Sequence, residues 1–484
     1  MGWNGGAIMD SSITRKEFCK HLGLSSLAAA AYPVLRSPDV HASGTRDEIP
    51  SAFPASEQSS AKPSLPSQGL VISVKDYGAK GDGVTDDTAN IQRAMQSNAL
   101  IFFPSGNYLV SKPIRLQVLK NVHIWATGAI LTNTTLTNHC FEISQCEFVT
   151  ITGGKYMRSG SPSASWPTDR HCFFFTNCTD VIVQNIFIDG SPGMGISIAN
   201  GMNVKIVDNI IKNTTRDGVY SHYSVNVLYS GNYLENITDD ALSMHDYGFN
   251  ASKVNIQTLG YPQAGSSIIA NNRIKNAMRG IASIGTQSLT ITDNVIEHVV
   301  NCGIEVYNTA ESYVGPDTQV QDVVISNNLI SYACLKSHKI LGKLQGDNNQ
   351  GGGGKAALTV GSFGADYQYE IENKRLSNIS VTGNMVNYSA ADAYFLNNID
   401  GLVFSNNTAR NCNTSSFPPY TGYIVECWSC TDLCGFNNQV IDSNSPPNAI
   451  AGYRVRDTTG NIGGWLGLKF VVYPGSKTTP KILY

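Results

Sequence analysis

From residue 203 onward the chain repeats one hydrophobic rhythm. NVKIVDNIIKN begins at 203, NVLYSGNYLEN at 226, SSIIANNRIKN at 266, SLTITDNVIEH at 288, DVVISNNLISY at 322, NISVTGNMVNY at 378 and GLVFSNNTARN at 401. In each, apolar and polar residues alternate with the two-residue period of a half-buried strand, and an asparagine then marks a turn. Those asparagines are Asn209, Asn232, Asn272, Asn294, Asn328, Asn384 and Asn407. Their separations of 23, 40, 22, 34, 56 and 23 residues describe a unit near 22–23, enlarged in places by insertions. A second strand family follows the asparagines: GISI at 195, GVYS at 218, ALSM at 241, GIAS at 280, GIEV at 303, ALTV at 357 and AYFL at 393. Several short strands per repeat at a steady period predict an all-β, single-stranded parallel β-helix, in which each strand pairs with its counterparts in neighbouring coils and aligned asparagines form hydrogen-bonded ladders.

The two ends depart from this rhythm. The segment 76–111, DYGAKGDGVTDDTANIQRAMQSNALIFFPSGNYLVS, opens with a strand and a glycine-rich turn. It then predicts an amphipathic helix over 86–97, with Ile91, Ala94 and Met95 on one side and Asp86 and Asp87 at its N-terminus. Such a helix caps the open end of a solenoid. Upstream, a basic start (Arg15, Lys16, Lys20) leads into the apolar run 22–35 and the small-residue site Val40-His41-Ala42. This reads as an export signal over 1–42, with TRKEFCK similar to a twin-arginine signal whose second arginine is Lys16. The expected location is therefore periplasmic or extracellular. The Ser-, Pro- and Ala-rich stretch 43–68 reads as a disordered linker, 69–460 as the β-helix and 461–484 as a C-terminal tail.

The repeat gives the stretch TRDGVYSHYSVNVLYSGNYLENITDDALSMHD (215–246) its meaning. Asp217 and Asp240 are 23 residues apart, as are His222 and His245, so both pairs stack in adjacent coils. In the second strand family Val219, Leu242, Met244, Ile281, Ile304 and Val306 are expected to fill the interior, and alternate positions to face solvent. Three outward columns result. The first is Asp217, Asp240, Arg279 and Cys302; the second is Ser197, Tyr220, Ser243, Ala282, Glu305 and Thr359; the third is Ala199, His222, His245, Ile284 and Tyr307. With Asp239 added, one face gathers acids, histidines, tyrosines and an arginine, with Glu305 about 10 Å from Asp240 by the sheet spacing. The insertions 246–265, 308–319 and 335–355 leave near these strands and are expected to wall a cleft. Tyr223, Tyr247, Tyr261 and Tyr313 are candidate rings for sugar stacking.

YGAKGDGVTDDT followed by FPSGNYLVS resembles the start of the pectate-lyase-like family that includes rhamnogalacturonases and epimerases. The resemblance spans about 70–440. It implies a right-handed β-helix acting on polysaccharides, often acidic ones, with some members serving as phage tailspikes. RDGVYS and TDDALSM are further similar to the polygalacturonase pattern, an N-T-D-G segment preceding an Asp-Asp pair by one coil. That match places Asp217, Asp239 and Asp240 on the family's three acids, with Asp240 as general acid and the other two positioning water. Tyr220, His222, His245, Arg279, Glu305 and Tyr307 then become substrate contacts, Arg279 toward a substrate carboxylate. Two departures stand out: MRGIASIG replaces the family's Gly-His-Gly coil, and no Arg-x-Lys occupies the right later coil.

The same residues suit two other roles. A lyase or C5-epimerase could use His222, His245 or Tyr220 as acid or base, with Arg279, or Ca2+ held by the three aspartates, neutralising a uronate. A tailspike or adhesin would bind the glycan without turnover. No cofactor is expected in the hydrolase reading. The sequence leaves the oligomeric state open.

Charge and cysteines narrow the rest. A net charge of −3 with no Lys/Arg run offers no field for nucleic acid, and no segment is apolar over a membrane-spanning length. CFEISQC at 140 and CFFFTNC at 172 repeat at an offset of 32, stacking Cys140 on Cys172 and Cys146 on Cys178, as disulfides or as buried thiols. Cys427, Cys430 and Cys434 have a zinc-like first spacing and no second half. The glycines at 351–354 lack the strand–helix context of a phosphate loop and read as a flexible loop.

Overall fold

The computed structural model describes residues 70–159, 170–247, 263–308, 318–335, 338–345, 356–362, 375–414, 423–443, 451–467 and 469–483. The expected export signal and linker lie outside them, as do most of the three insertions, Tyr261, Tyr313 and the glycines at 351–354.

The described chain coils as a parallel β-helix. One sheet of 15 strands takes one strand from each coil, and a second of 24 strands takes up to two. The NVKIVDN family forms the first sheet, for example Met202–Val207 paired in parallel with Val225–Ser230. The IIKNT-like segments after the asparagines and the GVYSH-like segments form the second. Where the chain takes no turn between those two, they merge into single long strands, Tyr233–His245 and Arg273–Ile284.

The expected asparagine ladder is present. The amide Nδ2 and the backbone N–H of Asn209 both donate to Oδ1 of Asn232, at 3.0 and 3.1 Å. The same pair of bonds recurs through Asn272, Asn294, Asn328, Asn384 and Asn407. It extends one coil further to Asn438, in a coil whose hydrophobic pattern is too weak to announce it. Each Nδ2 also donates to a backbone carbonyl of the preceding coil, as Asn294 does to Ile269 at 3.0 Å. The ladder thus satisfies backbone groups that the turn removes from the sheets. Asn294→Ala is expected to leave the Asn272 backbone N–H without its acceptor and the Ile269 and Thr292 carbonyls without the amide donor, while Asn328 Oδ1 keeps the backbone N–H of residue 294. The cost should be about 2–3 kcal/mol, read as a lower urea midpoint with an unchanged slope.

The N-terminal helix is shorter than the pattern predicts, Thr88–Ala94, with Ile91 and Ala94 in the core. The two aspartates before it have different duties. Asp86 accepts hydrogen bonds from the Thr88 N–H at 3.0 Å and from the Ser111 hydroxyl at 2.6 Å. Asp87 is buried and its carboxylate instead accepts from the N–H groups of Lys80 and Gly81, at 2.6 and 2.9 Å. It staples the preceding turn, where Gly81 adopts φ +62°. At the other end, Gly460–Gly463, Phe470–Val472 and Lys481–Leu483 pair with earlier strands, so the expected tail adds rungs to both sheets.

The interior follows the expected alternation: Val219, Leu242, Met244, Ile281, Ile304 and Val306 are all buried in one continuous core. Cys140, Cys146, Cys172 and Cys178 are buried free thiols stacked through the in-register coils around them. Cys178 beside Cys146 draws the Cys146 thiol down to about 7. Cys427 and Cys430 are buried too, Cys430 donating to the Leu396 carbonyl.

Candidate functional site

The three expected columns exist, residue by residue. Ser197, Tyr220, Ser243, Ala282, Glu305 and Thr359 are successive register partners, as are Ala199, His222, His245, Ile284 and Tyr307. Asp240 is opposite Arg279, after a register shift between Ile237 and Asp240 that makes room for the extra residue Asp239. Such a bulge re-aims side chains locally.

Solvent exposure differs from the expectation. Asp217 is 2% exposed, Asp240 4% and Glu305 0%, and Tyr220, Ser243 and His245 are also buried. The reason lies in what they bond to: side chains of adjacent coils turn toward one another rather than toward water. The Arg279 guanidinium collects three carboxylates, Nε at 2.8 Å from Glu305, Nη1 at 3.1 Å from Asp240 and at 3.7 Å from Asp239. The Ser243 hydroxyl donates to Oδ2 of Asp217 at 2.6 Å. His245 stands between Asp240 and Tyr247, with Nε2 at 3.7 Å from Asp240 Oδ2 and Nδ1 at 2.7 Å from the Tyr247 hydroxyl. The rings of Tyr220, His222, Tyr223, His245 and Tyr247 meet edge to face at centroid distances of 5.2–6.4 Å.

These surroundings set the protonation states. Burial, then the charges of Asp239 and Asp240, hold the Asp217 carboxyl well above its ordinary range. Burial and Asp240 raise Asp239 to about 7, against the opposing pull of Arg279. Burial lowers His222 and His245 to about 4, so both imidazoles are neutral near neutral pH. The Tyr220 hydroxyl is pushed well above its ordinary value by burial and by Tyr247. One face therefore offers proton-bearing carboxyls beside an ion-paired carboxylate, the arrangement acid–base chemistry requires.

The pattern missed two participants. Arg216, immediately before Asp217, lowers the proton affinity of both Asp217 and Asp239. Tyr247, read from sequence only as a stacking ring, is the hydrogen-bond partner of His245. Adjacency to Asp217 was the available signal for the first; nothing in the period marks the second. The described base of the insertion after Tyr247 is tied down by Asp246, whose carboxylate accepts from the Ala264 N–H at 2.7 Å. Among the described residues no set of three His, Cys, Asp or Glu side chains is arranged to hold a metal ion.

Residues 71–305 match the profile of the family described as rhamnogalacturonase A/epimerase, pectate lyase-like. The chain has the right-handed β-helix fold of pectate-lyase-like proteins. It is 25% identical over 299 residues to a glucan 1,3-beta-glucosidase of Cochliobolus carbonum, covering 49% of this chain and 36% of the relative. It is 24% identical over 421 residues to the plasmin and fibronectin-binding protein A of Streptococcus pneumoniae R6, covering 73% of this chain and 55% of that one. This β-helix protein thus spans less than two thirds of the length of the curated relatives it matches. Among solved structures it shares the fold of the catalytic unit of a GH87 alpha-1,3-glucanase from Streptomyces thermodiastaticus strain HF3-3. There the TM-score is 0.56 and the identity 16%, over 87% of this chain and 73% of that one.

Proposed function

We propose that this β-helix protein is a polysaccharide-active glycoside hydrolase, with a uronate-containing glycan as the expected substrate. The observation that carries the reading is the convergence of Asp217, Asp239 and Asp240 on one face, with Asp239 raised to about 7 while Asp240 sits 3.1 Å from a guanidinium. Hydrolysis needs one carboxyl that keeps its proton and one that has lost it. The surroundings support an exchange of roles relative to the sequence pattern: Asp239 donates the proton to the leaving oxygen, and Asp240 acts as the carboxylate that activates water or attacks carbon. Asp217, protonated and held by Ser243, orients the pair. Relatives named as a glucan 1,3-beta-glucosidase and an alpha-1,3-glucanase support hydrolysis of a glycan and extend the candidate substrates to neutral 1,3-glucans.

The lyase and epimerase reading draws less support. It needs Arg279, or Ca2+ held by the three aspartates, for a uronate carboxylate; Arg279 is already committed to Asp239, Asp240 and Glu305, and Asp217 and Asp239 are raised toward their protonated forms, which bind a cation poorly. It also needs a base: Tyr220 is driven toward its protonated form, and His222 and His245, lowered to about 4, are neutral and weakly basic imidazoles.

The test is a screen of polygalacturonate, alginate, β-1,3-glucan and α-1,3-glucan, following reducing ends and ultraviolet absorbance together. Reducing ends without absorbance are expected. Absorbance from an unsaturated product would replace hydrolysis by elimination, and no product from any glycan would favour the binding role that the pneumococcal relative's name suggests.

The pH profile follows from Asp239. Its proton is held below about 7 and lost above it, so kcat/KM should fall on the alkaline side with an apparent pKa near 7. Asp239→Asn should remove most activity, and the residual rate should lack that alkaline limb. The same shift makes stability depend on pH. The folded state keeps a proton that the unfolded chain releases at 3.8, so the contribution of Asp239 is full below that value and lost as pH rises to about 7.

A further inference from the structure

The outward face that carries the acids continues for several coils beyond them. In register after Glu305 come Thr359, Phe395, Glu426 and Arg454; after Tyr307 come Gly361, Asn397, Trp428 and Arg456. Four sheet spacings separate Glu305 from Arg454, roughly 19 Å. Here the chemistry changes from carboxylates to guanidinium groups among aromatic rings. The Arg454 guanidinium lies 3.9 Å from the Tyr423 ring centroid, 5.3 Å from that of Trp428 and 5.7 Å from that of Tyr473. Arg456 lies 5.2 Å from Trp428 and 5.4 Å from Tyr473. Arg454 directs Nε and Nη2 at a single oxygen, Oε2 of the buried Glu426, at 3.1 and 2.6 Å. Among the described residues Arg456 has one loose ion pair, to Asp457 at 3.6 Å, and its side chain is 38% exposed. Tyr473 is 39% exposed, and Tyr423 and Trp428 are half-buried.

We propose that Arg456, Tyr473, Trp428, Tyr423 and Arg454 form a distal subsite for an acidic sugar unit of the polysaccharide. Aromatic faces pack against the apolar C–H face of a pyranose, and a guanidinium fork fits a carboxylate. The placement answers what Arg279 leaves open. Arg279 is held by three of the chain's own acids and Arg454 by Glu426, so the outward guanidinium on this face suited to a substrate carboxylate is that of Arg456, with Arg454 holding the rings beside it. A glycan laid along the coil axis reaches from the acids to this subsite. Selectivity for acidic chains then comes from a contact remote from the reacting bond, one that tightens binding without entering the chemistry. The inference rests on the proposed action on polysaccharide for its ligand class and is tested without turnover.

Binding of polygalacturonate oligosaccharides and of a neutral β-1,3-glucan is measured by calorimetry on the full chain carrying Asp240→Asn, with and without Arg456→Gln or Tyr473→Ala. Arg456 is partly exposed and its ion pair with the partly exposed Asp457 is loose, so its removal strands no buried charge among the described residues. Arg456→Gln is expected to weaken polygalacturonate about tenfold, the loss of one charge-assisted hydrogen bond. It should also reduce the salt dependence and leave the glucan constant unchanged. Tyr473→Ala should weaken both ligands. Unchanged polygalacturonate affinity in both variants overturns the subsite, as does a parent that binds glucan and no polygalacturonate. Product formation by the chain with Asp240 intact tests the hydrolase reading separately, so either proposal can fail while the other stands.

Discussion

Asp240→Asn is expected to lower kcat by a factor of about 10^2 to 10^4, the range supplied by a positioned acid–base group, while KM changes little. The substitution keeps the size of the side chain and removes its charge. Arg279 retains Glu305 at 2.8 Å and Asp239 at 3.7 Å, so the guanidinium is not abandoned. The side chain is 4% exposed rather than at the surface, so folding needs its own control: circular dichroism and the urea midpoint, compared with the parent. A folded Asp240→Asn protein with full turnover would move the reacting centre away from this face. A folded protein with no turnover and intact glycan binding supports it.

Arg279→Gln should be the most costly single change to stability in the site. It withdraws the positive charge shared by Asp239, Asp240 and Glu305, and Glu305 has no exposure to water. Removing one partner of a buried ion pair costs about 3–5 kcal/mol, because the charge left behind can neither be solvated nor leave. The penalty is expected to shrink below neutral pH, where the stranded carboxyls can take up protons. The check is a pair of urea titrations at pH 5 and pH 8. A loss of equal size at both values would mean that packing rather than charge accounts for it. Arg279 also opposes protonation of Asp239, the proposed proton donor. The alkaline limb of the pH profile should then move to higher pH in Arg279→Gln, an outcome a purely structural arginine would not produce.

The repeat made much of this legible. A unit near 23 residues is one coil, so residues one unit apart must be neighbours whatever the side chains do. The columns Asp217–Asp240–Arg279, Tyr220–Ser243 and His222–His245 are therefore in the sequence itself, as is the asparagine ladder from Asn209 to Asn407, because backbone pairing between coils depends on register alone. The tertiary structure decided what period cannot carry. Whether an outward residue meets water or another side chain depends on rotamers and on groups from several coils at once. That is how Asp217, Asp240 and Glu305 came to be buried and Arg279 to be shared by three acids. It is also how Tyr247 reached His245 from an insertion that breaks the repeat, and how Asp87 turned back to the Lys80–Gly81 turn instead of capping its helix. Register follows from chain spacing; proton affinity follows from three-dimensional crowding of charge and loss of water, and only the folded coils bring those together.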